Sequence, residues 1–385
     1  MGSTLFEKIW DQHSICDLGD GNELIYIDRI FLHERTGSIA LKSLEERKVP
    51  IRNPNQVFAT IDHIVDTFPG RGDKTLMPSG SDFIKSLRAS VKGSKIHFFD
   101  IDDPNQGIVH VVSPEQGIAL PGITYICPDS HTCSLGALGT LAWGVGSTEC
   151  EHALATNTLI KKKPKLMKIM VDGILPLGVT SKDIILHLIS QHGADGAKDH
   201  AIEFMGSVVE NLEIESRLTL CNMAVEFGAT TGIIAPDNKT ISYLEGKAFS
   251  PEEDDFNKAK HYWSELKTDQ DAIFDKTITI DCSNITPYVT WGTNPQQAIP
   301  ISHSIPFVDQ IKNKNEKESM IRALEYMGLE QGQSINNQKI DAAFIGSCTN
   351  SRISDLRSAA KILKDKKIAD NIRAICVPGS SQVKK

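Results

Sequence analysis

At 385 residues the chain is too long for one ordinary domain, and 40% hydrophobic with 23% charged residues describes a soluble globular protein. A net charge of −8 argues against broad nucleic-acid binding, which relies on basic surface. No apolar run approaches the roughly 20 residues of a membrane span. Met1-Gly2-Ser3-Thr4-Leu5-Phe6 lacks the basic and apolar regions of a signal peptide, so the cytoplasm is the expected setting. The eight cysteines are dispersed with no C-x-x-C, which disfavours disulfide staples, structural zinc and thioredoxin-like chemistry.

In chain order, residues 5–13 read as a short helix, and Glu23 to Arg29 as a strand running into Ile30-Phe31-Leu32-His33-Glu34. Val57 to Ile61 leads as a strand into Asp62-His63, a pairing that suits a histidine kept oriented and basic. Gly107 to Val112 reads as a strand carrying His110 among β-branched residues. Ile123 to Cys127 is a strand that ends in Pro128-Asp129-Ser130-His131-Thr132, followed by the glycine-studded stretch 136–146. Clefts of parallel α/β sheets open at strand C-termini, where such short polar side chains meet substrate.

Ser147 to Lys161 is expected to be a helix, and Lys161 to Lys165 a solvated boundary. Lys168 to Val171 reads as a strand, Ser181 to His192 as a helix, and Asn222 and Glu226 fall four apart on one helical face. Residues 250–275 suggest a surface helix, Thr277 to Asp281 a strand beginning another unit, and 309–319 a polar loop or helix. Ala342-Ala343-Phe344-Ile345 reads as a short buried strand, and Ile353, Leu356, Ala360 and Leu363 recur at helical spacing. Cys348 therefore falls on a strand-to-helix turn with Asn350 or Ser351 as cap, where the helix dipole favours a thiolate able to act as nucleophile or metal ligand. A buried structural cysteine is the plainer alternative. Strands alternating with helical patterns argue α/β throughout.

Together, Asp62-His63, His110, Asp129-Ser130-His131, Asn222, Glu226 and Cys348 offer three histidines and three carboxylates beside a metal-capable thiol. Carboxylate–imidazole pairs tune proton transfer near neutral pH, and a Lewis acid assists loss of a poor leaving group such as hydroxide.

These motifs resemble the aconitase superfamily, in its isopropylmalate dehydratase large-subunit branch. The matching stretches are Asp62-His63, Gly107 to His110, Pro128 to Thr132, Cys221-Asn222-Met223, Glu226 to Thr230, and Gly346-Ser347-Cys348-Thr349-Asn350-Ser351, in order over essentially the whole chain. The resemblance implies three aconitase-like α/β domains over 1–165, 166–285 and 286–385, the third incomplete. It implies a [4Fe–4S] cluster held by three cysteines, Cys348 matching the first. It also implies pairings of Asp62 with His63, Asp129 with His110, and Glu226 with His131, with Ser130 helping to hold substrate and Asn222 near the cluster. The expected activity is isomerisation of 2- and 3-isopropylmalate by dehydration and rehydration in leucine biosynthesis.

The family's other two cluster cysteines, a downstream C-x-x-C, do not occur before Lys385, so the chain is expected to be a C-terminally truncated large subunit. A cluster is expected to be absent or unstable in it, and its incomplete third domain to expose apolar surface. The serine base is expected on a separate small subunit with the swivelling domain, together with much of the specificity pocket. His33-Glu34 matches the isopropylmalate and homoaconitate branch, placing His33 at the substrate, while Arg35-Thr36-Gly37-Ser38 departs from the usual pattern and leaves 2-methylmalate, dimethylmalate or homoaconitate as alternatives. Two other classes compete: a cluster-free RNA-binding or scaffold protein, and a mononuclear metal hydrolase using His63, His110 and His131.

Overall fold

The computed structural model describes residues 2–336 and 338–385, so Met1 of the amino-terminal reading and Asn337 of the third expected domain lie outside it. The helix Leu5–His13 begins at Thr4, whose hydroxyl accepts from the Glu7 amide at 3.1 Å while the Glu7 carboxylate accepts from the Thr4 amide at 2.9 Å. Strands are numbered in chain order. β1 (Ser14–Gly19) and β2 (Asn22–Tyr26) form an antiparallel hairpin, followed by β3 (Arg29–His33), β4 (Val57–Thr60), β5 (His97–Phe99), β6 (Thr124–Cys127), β7 (Leu141–Gly144) and β8 (Thr158–Lys162), which pairs back onto β2. Then come β9 (Lys165–Asp172), β10 (His200–Met205), β11 (Thr231–Ile233), β12 (Lys276–Asp281), the antiparallel pair β13 (Tyr288–Thr290) and β14 (Ala298–Pro300), and the parallel pair β15 (Ala342–Ile345) and β16 (Arg373–Cys376).

Two parallel sheets dominate. The first has order β5-β4-β3-β6-β7 and the second β11-β10-β9-β12. One continuous apolar core serves both, and a smaller cluster around Trp291, Ile299, Ile305 and Met320 lies under β13 and β14. In the first sheet the chain steps outward from β3 through β4 to β5, then returns to the other side of β3 with β6. The strand order thus reverses between β3 and β6, and their C-terminal ends flank a crevice.

The α/β reading holds, but several elements differ from expectation. Residues 107–112 are not a strand: a helix runs Val109–Glu115. The Ile108 amide donates to Gly379 O at 2.9 Å and the Asp62 carboxylate accepts the Val109 amide at 2.9 Å, so tertiary partners nucleate a helix from β-branched residues. The expected strand over Glu23 to Glu34 is two strands in different sheets, broken at Asp28, whose carboxylate takes the Thr124 amide at 2.9 Å and His13 at 2.8 Å. The helix from Ser147 stops at Thr156, because Asn157 adopts the left-handed conformation (φ 57°) and turns the chain into β8. The strand at 276–281 does not begin another unit but pairs with β9 as the edge of the second sheet.

Asn222 and Glu226 do not share a helix, since Ile214–Asn222 ends before the 3₁₀ turn Val225–Phe227. Neither Asn350 nor Ser351 caps the last long helix, Ile353–Leu363; Arg352 occupies that position, its amide donating to Asp355 at 2.9 Å. The expected buried strand 342–345 is exposed, with Phe344 at 57%, and the following helix buries no residue. Only two strands pair there among the described residues, and the face that carries Ala342 and Phe344 is left exposed. No helix among the described residues is long and apolar enough to cross a membrane.

The second sheet contains one unusual buried acid. Glu203 in β10 accepts the Thr268 hydroxyl at 2.7 Å, and that hydroxyl oxygen also accepts the Leu5 amide at 2.7 Å. Burial pushes Glu203 up from 4.5 to about 7 despite these bonds. The folded chain therefore holds a proton that the unfolded chain releases, and stability falls as pH rises from 4.5 to 7. Glu203→Gln, which keeps an acceptor for Thr268, is expected to remove that decline and to melt higher above pH 7, by up to about 3 kcal/mol. Thermal melting across this pH range checks it.

Candidate active site

The crevice between β3 and β6 gathers the polar residues singled out in the sequence. His33 ends β3, Asp62 and His63 follow β4, Asp129 to His131 follow β6, and His110 lies in the first turn of Val109–Glu115. His63 is gripped at both ring nitrogens: Nδ1 donates to Asp62 Oδ1 at 2.6 Å and Nε2 to Asp129 Oδ2 at 2.8 Å. Two carboxylate acceptors require both nitrogens to carry protons, so the ring is an imidazolium. Burial opposes that charge, but the Asp62 charge and the hydrogen bonds to Asp129 and Asp62 overcome it and raise His63 to about 11.

Asp129 is shared. Its Oδ1 accepts His110 Nε2 at 2.9 Å and the His131 amide at 2.7 Å, and against burial these contacts, led by the His110 charge, hold the carboxyl far below its ordinary range. His131 Nε2 donates to Glu226 Oε1 at 3.1 Å. Hydrogen bonding to Asp129 and Glu226 raises His131 to about 10. The three pairings implied by the resemblance are thus all within hydrogen-bond distance, and His63 bridges two of them.

His33 is 2% exposed and stacks on the His63 ring with centroids 3.7 Å apart at 15°. Its Nε2 faces Pro128 O at 3.0 Å and the Thr36 hydroxyl at 2.9 Å. Burial and the adjacent His63 charge lower His33, keeping it neutral under its charged neighbour. His33, Glu34, Asp62 and His63 have donor atoms within 4.8 Å of one another. Stacked rings direct their in-plane lone pairs side by side rather than to one point, so this group does not suit a single metal ion. The expected alternative of His63, His110 and His131 as ligands fails at His63, whose two ring nitrogens both face carboxylates.

Glu34 was not singled out as a site residue, and its role depends on the fold. It is fully buried, and its carboxylate accepts the amides of Asp62 at 3.1 Å, His63 at 2.8 Å and Ile64. It thereby curls the chain after β4 and presents His63 to Asp129. Burial, beside Asp62, pushes it up to about 7. A glutamate immediately after a strand-end histidine was the only sequence signal. Within the glycine-studded stretch 136–146, a Cβ on Gly144 would lie 2.5 Å from Asp129 O and 2.9 Å from Ser130 Cα, so glycine lets the end of β7 approach that backbone.

Ser130 is exposed at the rim, its hydroxyl 3.4 Å from His131 Nδ1. Asn222 is buried, donating to the Ser134 hydroxyl at 2.8 Å and accepting from the Thr349 hydroxyl at 3.5 Å. The Cys348 loop lies against this wall: Asn350 Nδ2 donates to the Thr219 hydroxyl at 3.2 Å, and Arg352 Nη2 to His110 O at 3.1 Å and Thr349 O at 3.2 Å. Arg352, also missed as a site residue, ties the loop to the histidine helix. Cys348 itself is exposed and close enough to His131 for a negative charge on it to favour the protonated ring. The neighbouring thiols differ, since burial pushes Cys133 up to about 12 and Cys221 well above its ordinary value. Among the described residues, then, Cys348 is the one exposed thiol bordering the histidines.

A parallel-sheet crevice lined by imidazolium–carboxylate pairs, with an accessible thiol at its edge, is suited to proton transfer. The model of the aconitase family (aconitate hydratase) matches residues 7–385, and the chain belongs to that family. It is also similar to 3-isopropylmalate dehydratase large subunit 1 of Bradyrhizobium diazoefficiens, 45% identical over 384 residues that make up 100% of this chain and 80% of that one.

Removing Glu34 by Glu34→Ala leaves three amides without an acceptor, of which the buried Ile64 amide costs about 1–3 kcal/mol and the two part-buried ones less. Hydrogen exchange at Asp62, His63 and Ile64 is expected to speed up markedly while the β9 and β10 amides stay protected.

Proposed function

We propose that this chain is the large subunit of an iron–sulfur hydro-lyase that interconverts 2-isopropylmalate and 3-isopropylmalate by dehydration and rehydration in leucine biosynthesis, working in the cytoplasm. The observation that carries the reading is the doubly gripped imidazolium of His63 in a chain of the aconitase family, 45% identical to a dehydratase large subunit. Elimination of water needs a proton delivered to the departing hydroxyl and another removed from the carbon beside a carboxylate. His63 supplies the first. Its proton is held near pKa 11, still well below the roughly 15.7 of water, so transfer to a departing hydroxide is downhill.

Asp62 holds Nδ1–H and keeps the ring aimed while Nε2–H exchanges its bond to Asp129 for the departing hydroxyl, and in the reverse hydration the then-neutral ring takes that proton back from water. His110 holds the opposite oxygen of Asp129, so that carboxylate cannot rotate away. The His131–Glu226 pair forms the facing wall, and Ser130 offers its hydroxyl to a substrate carboxylate. The second proton goes to a serine base on the small-subunit partner with its swivelling domain.

The cofactor is a [4Fe–4S] cluster of the complete enzyme, which would supply Lewis-acid assistance to loss of the hydroxyl. Cys348 fits as one ligand, being exposed on an ordered loop beside the histidines. One thiolate does not hold a four-iron cluster, so the chain alone fits only one corner of it.

In the complete two-subunit enzyme, His63→Ala is expected to lower dehydration about 10²–10⁴-fold while the iron–sulfur absorbance persists. Full activity of that variant excludes the role of His63. Because His63 stays protonated up to about pH 11, no loss of rate between pH 6 and 9 should trace to it, and the wild-type pH–rate profile checks this. The 385-residue chain alone is expected to show no turnover even after iron and sulfide reconstitution.

A further inference from the structure

A cavity of about 300 Å³ opens beside Ser130, lined by Ser130, Gly144, Val145, Val225 and Thr230. Its lining contrasts with the rest of the crevice, which is histidine and carboxylate. Here two half-buried valines face the space, Gly144 adds no side chain, and the hydroxyl residues Ser130 and Thr230 are exposed at the edge. Nothing in proton transfer calls for this apolar surface.

Each valine is fixed close to a polar group. The Val145 amide donates to Cys127 O at 3.0 Å, at the end of the strand that leads into Asp129. Val225 immediately precedes Glu226, whose carboxylate meets His131 at 3.1 Å. Gly144 cannot carry a side chain without displacing the Asp129-Ser130 backbone, so Val145 is the first bulky group beyond β7. Ser130, assigned above to a substrate carboxylate, lines the same cavity as the two valines, so a ligand held at its hydroxyl has an apolar surface beside it. Three or four carbons fit easily within the volume.

We propose that Val145 and Val225 form the subsite for the branched alkyl substituent and select among alkyl-substituted hydroxydicarboxylates. The assignment rests on the hydro-lyase reading above and places part of the specificity determinant on this chain rather than on the small subunit.

The test is kcat/KM of the complete two-subunit enzyme for 3-isopropylmalate and 3-methylmalate, in wild type, Val225→Phe and Val225→Thr. A phenyl ring takes up the space that an isopropyl group needs and a methyl group does not. The isopropyl-to-methyl preference is therefore expected to fall at least about tenfold in Val225→Phe, the scale of one methylene in an apolar pocket. Val225→Thr keeps the volume and exchanges a methyl for a hydroxyl, so it is expected to lower the same ratio several-fold, and it decides the matter if the larger variant fails to fold. A ratio within twofold of wild type in the variants that fold overturns the assignment alone. A wild type inactive on both compounds overturns the hydro-lyase reading and this assignment with it.

Discussion

Asp129 accepts hydrogen bonds from His63, His110 and the His131 amide at 2.7–2.9 Å, and those three groups come from three separate segments of the first sheet. A largely buried carboxylate is costly unless positive partners surround it, and removing one partner from such a set costs several kcal/mol. The same charge balance that makes Asp129 tolerable thus fixes the positions of all three histidines relative to β6. It also explains why His63 rests protonated, since the ring has carboxylate acceptors at both nitrogens.

The sheet topology creates the place for this carboxylate. Strand order reverses between β3 and β6, so the segments leaving their C-terminal ends diverge and leave a crevice instead of packing together. Glu34 then uses one buried carboxylate to satisfy three consecutive amides after β4 and turns His63 into the opening. The second sheet contributes through the turn after Ile214–Asn222, which delivers Glu226 to His131. Arg352 fastens the Cys348 loop to the carbonyl of His110, so the thiol and the histidines are held by one frame.

The misread elements share a cause. The strand expected at 107–112 was judged from β-branched composition, yet the Asp62 carboxylate caps that segment from 47 residues away and makes it a helix. Asn222 and Glu226 looked like neighbours on one helical face; the helix stops between them, and each reaches the site by its own route. The strand at 342–345 has an apolar pattern that predicts burial, but among the described residues only β16 pairs with it. In each case the partners that the rest of the fold supplied or withheld, and not the local pattern, decided the outcome.

What the sequence alone determined was the chemistry: the Asp-His pairs, Ser130, Asn222, Glu226 and Cys348 are legible because their side-chain types permit few reactions, and their order along the chain matched one family. Tertiary structure alone decided how these groups share protons. That Asp129 serves two histidine rings, that His33 lies under His63, that Glu34 curls the loop and that two valines line the neighbouring cavity all depend on distances between segments about 20 to 100 residues apart. Residue type limits what a side chain is able to do, whereas pKa, orientation and burial arise from neighbours, and only the folded chain chooses those.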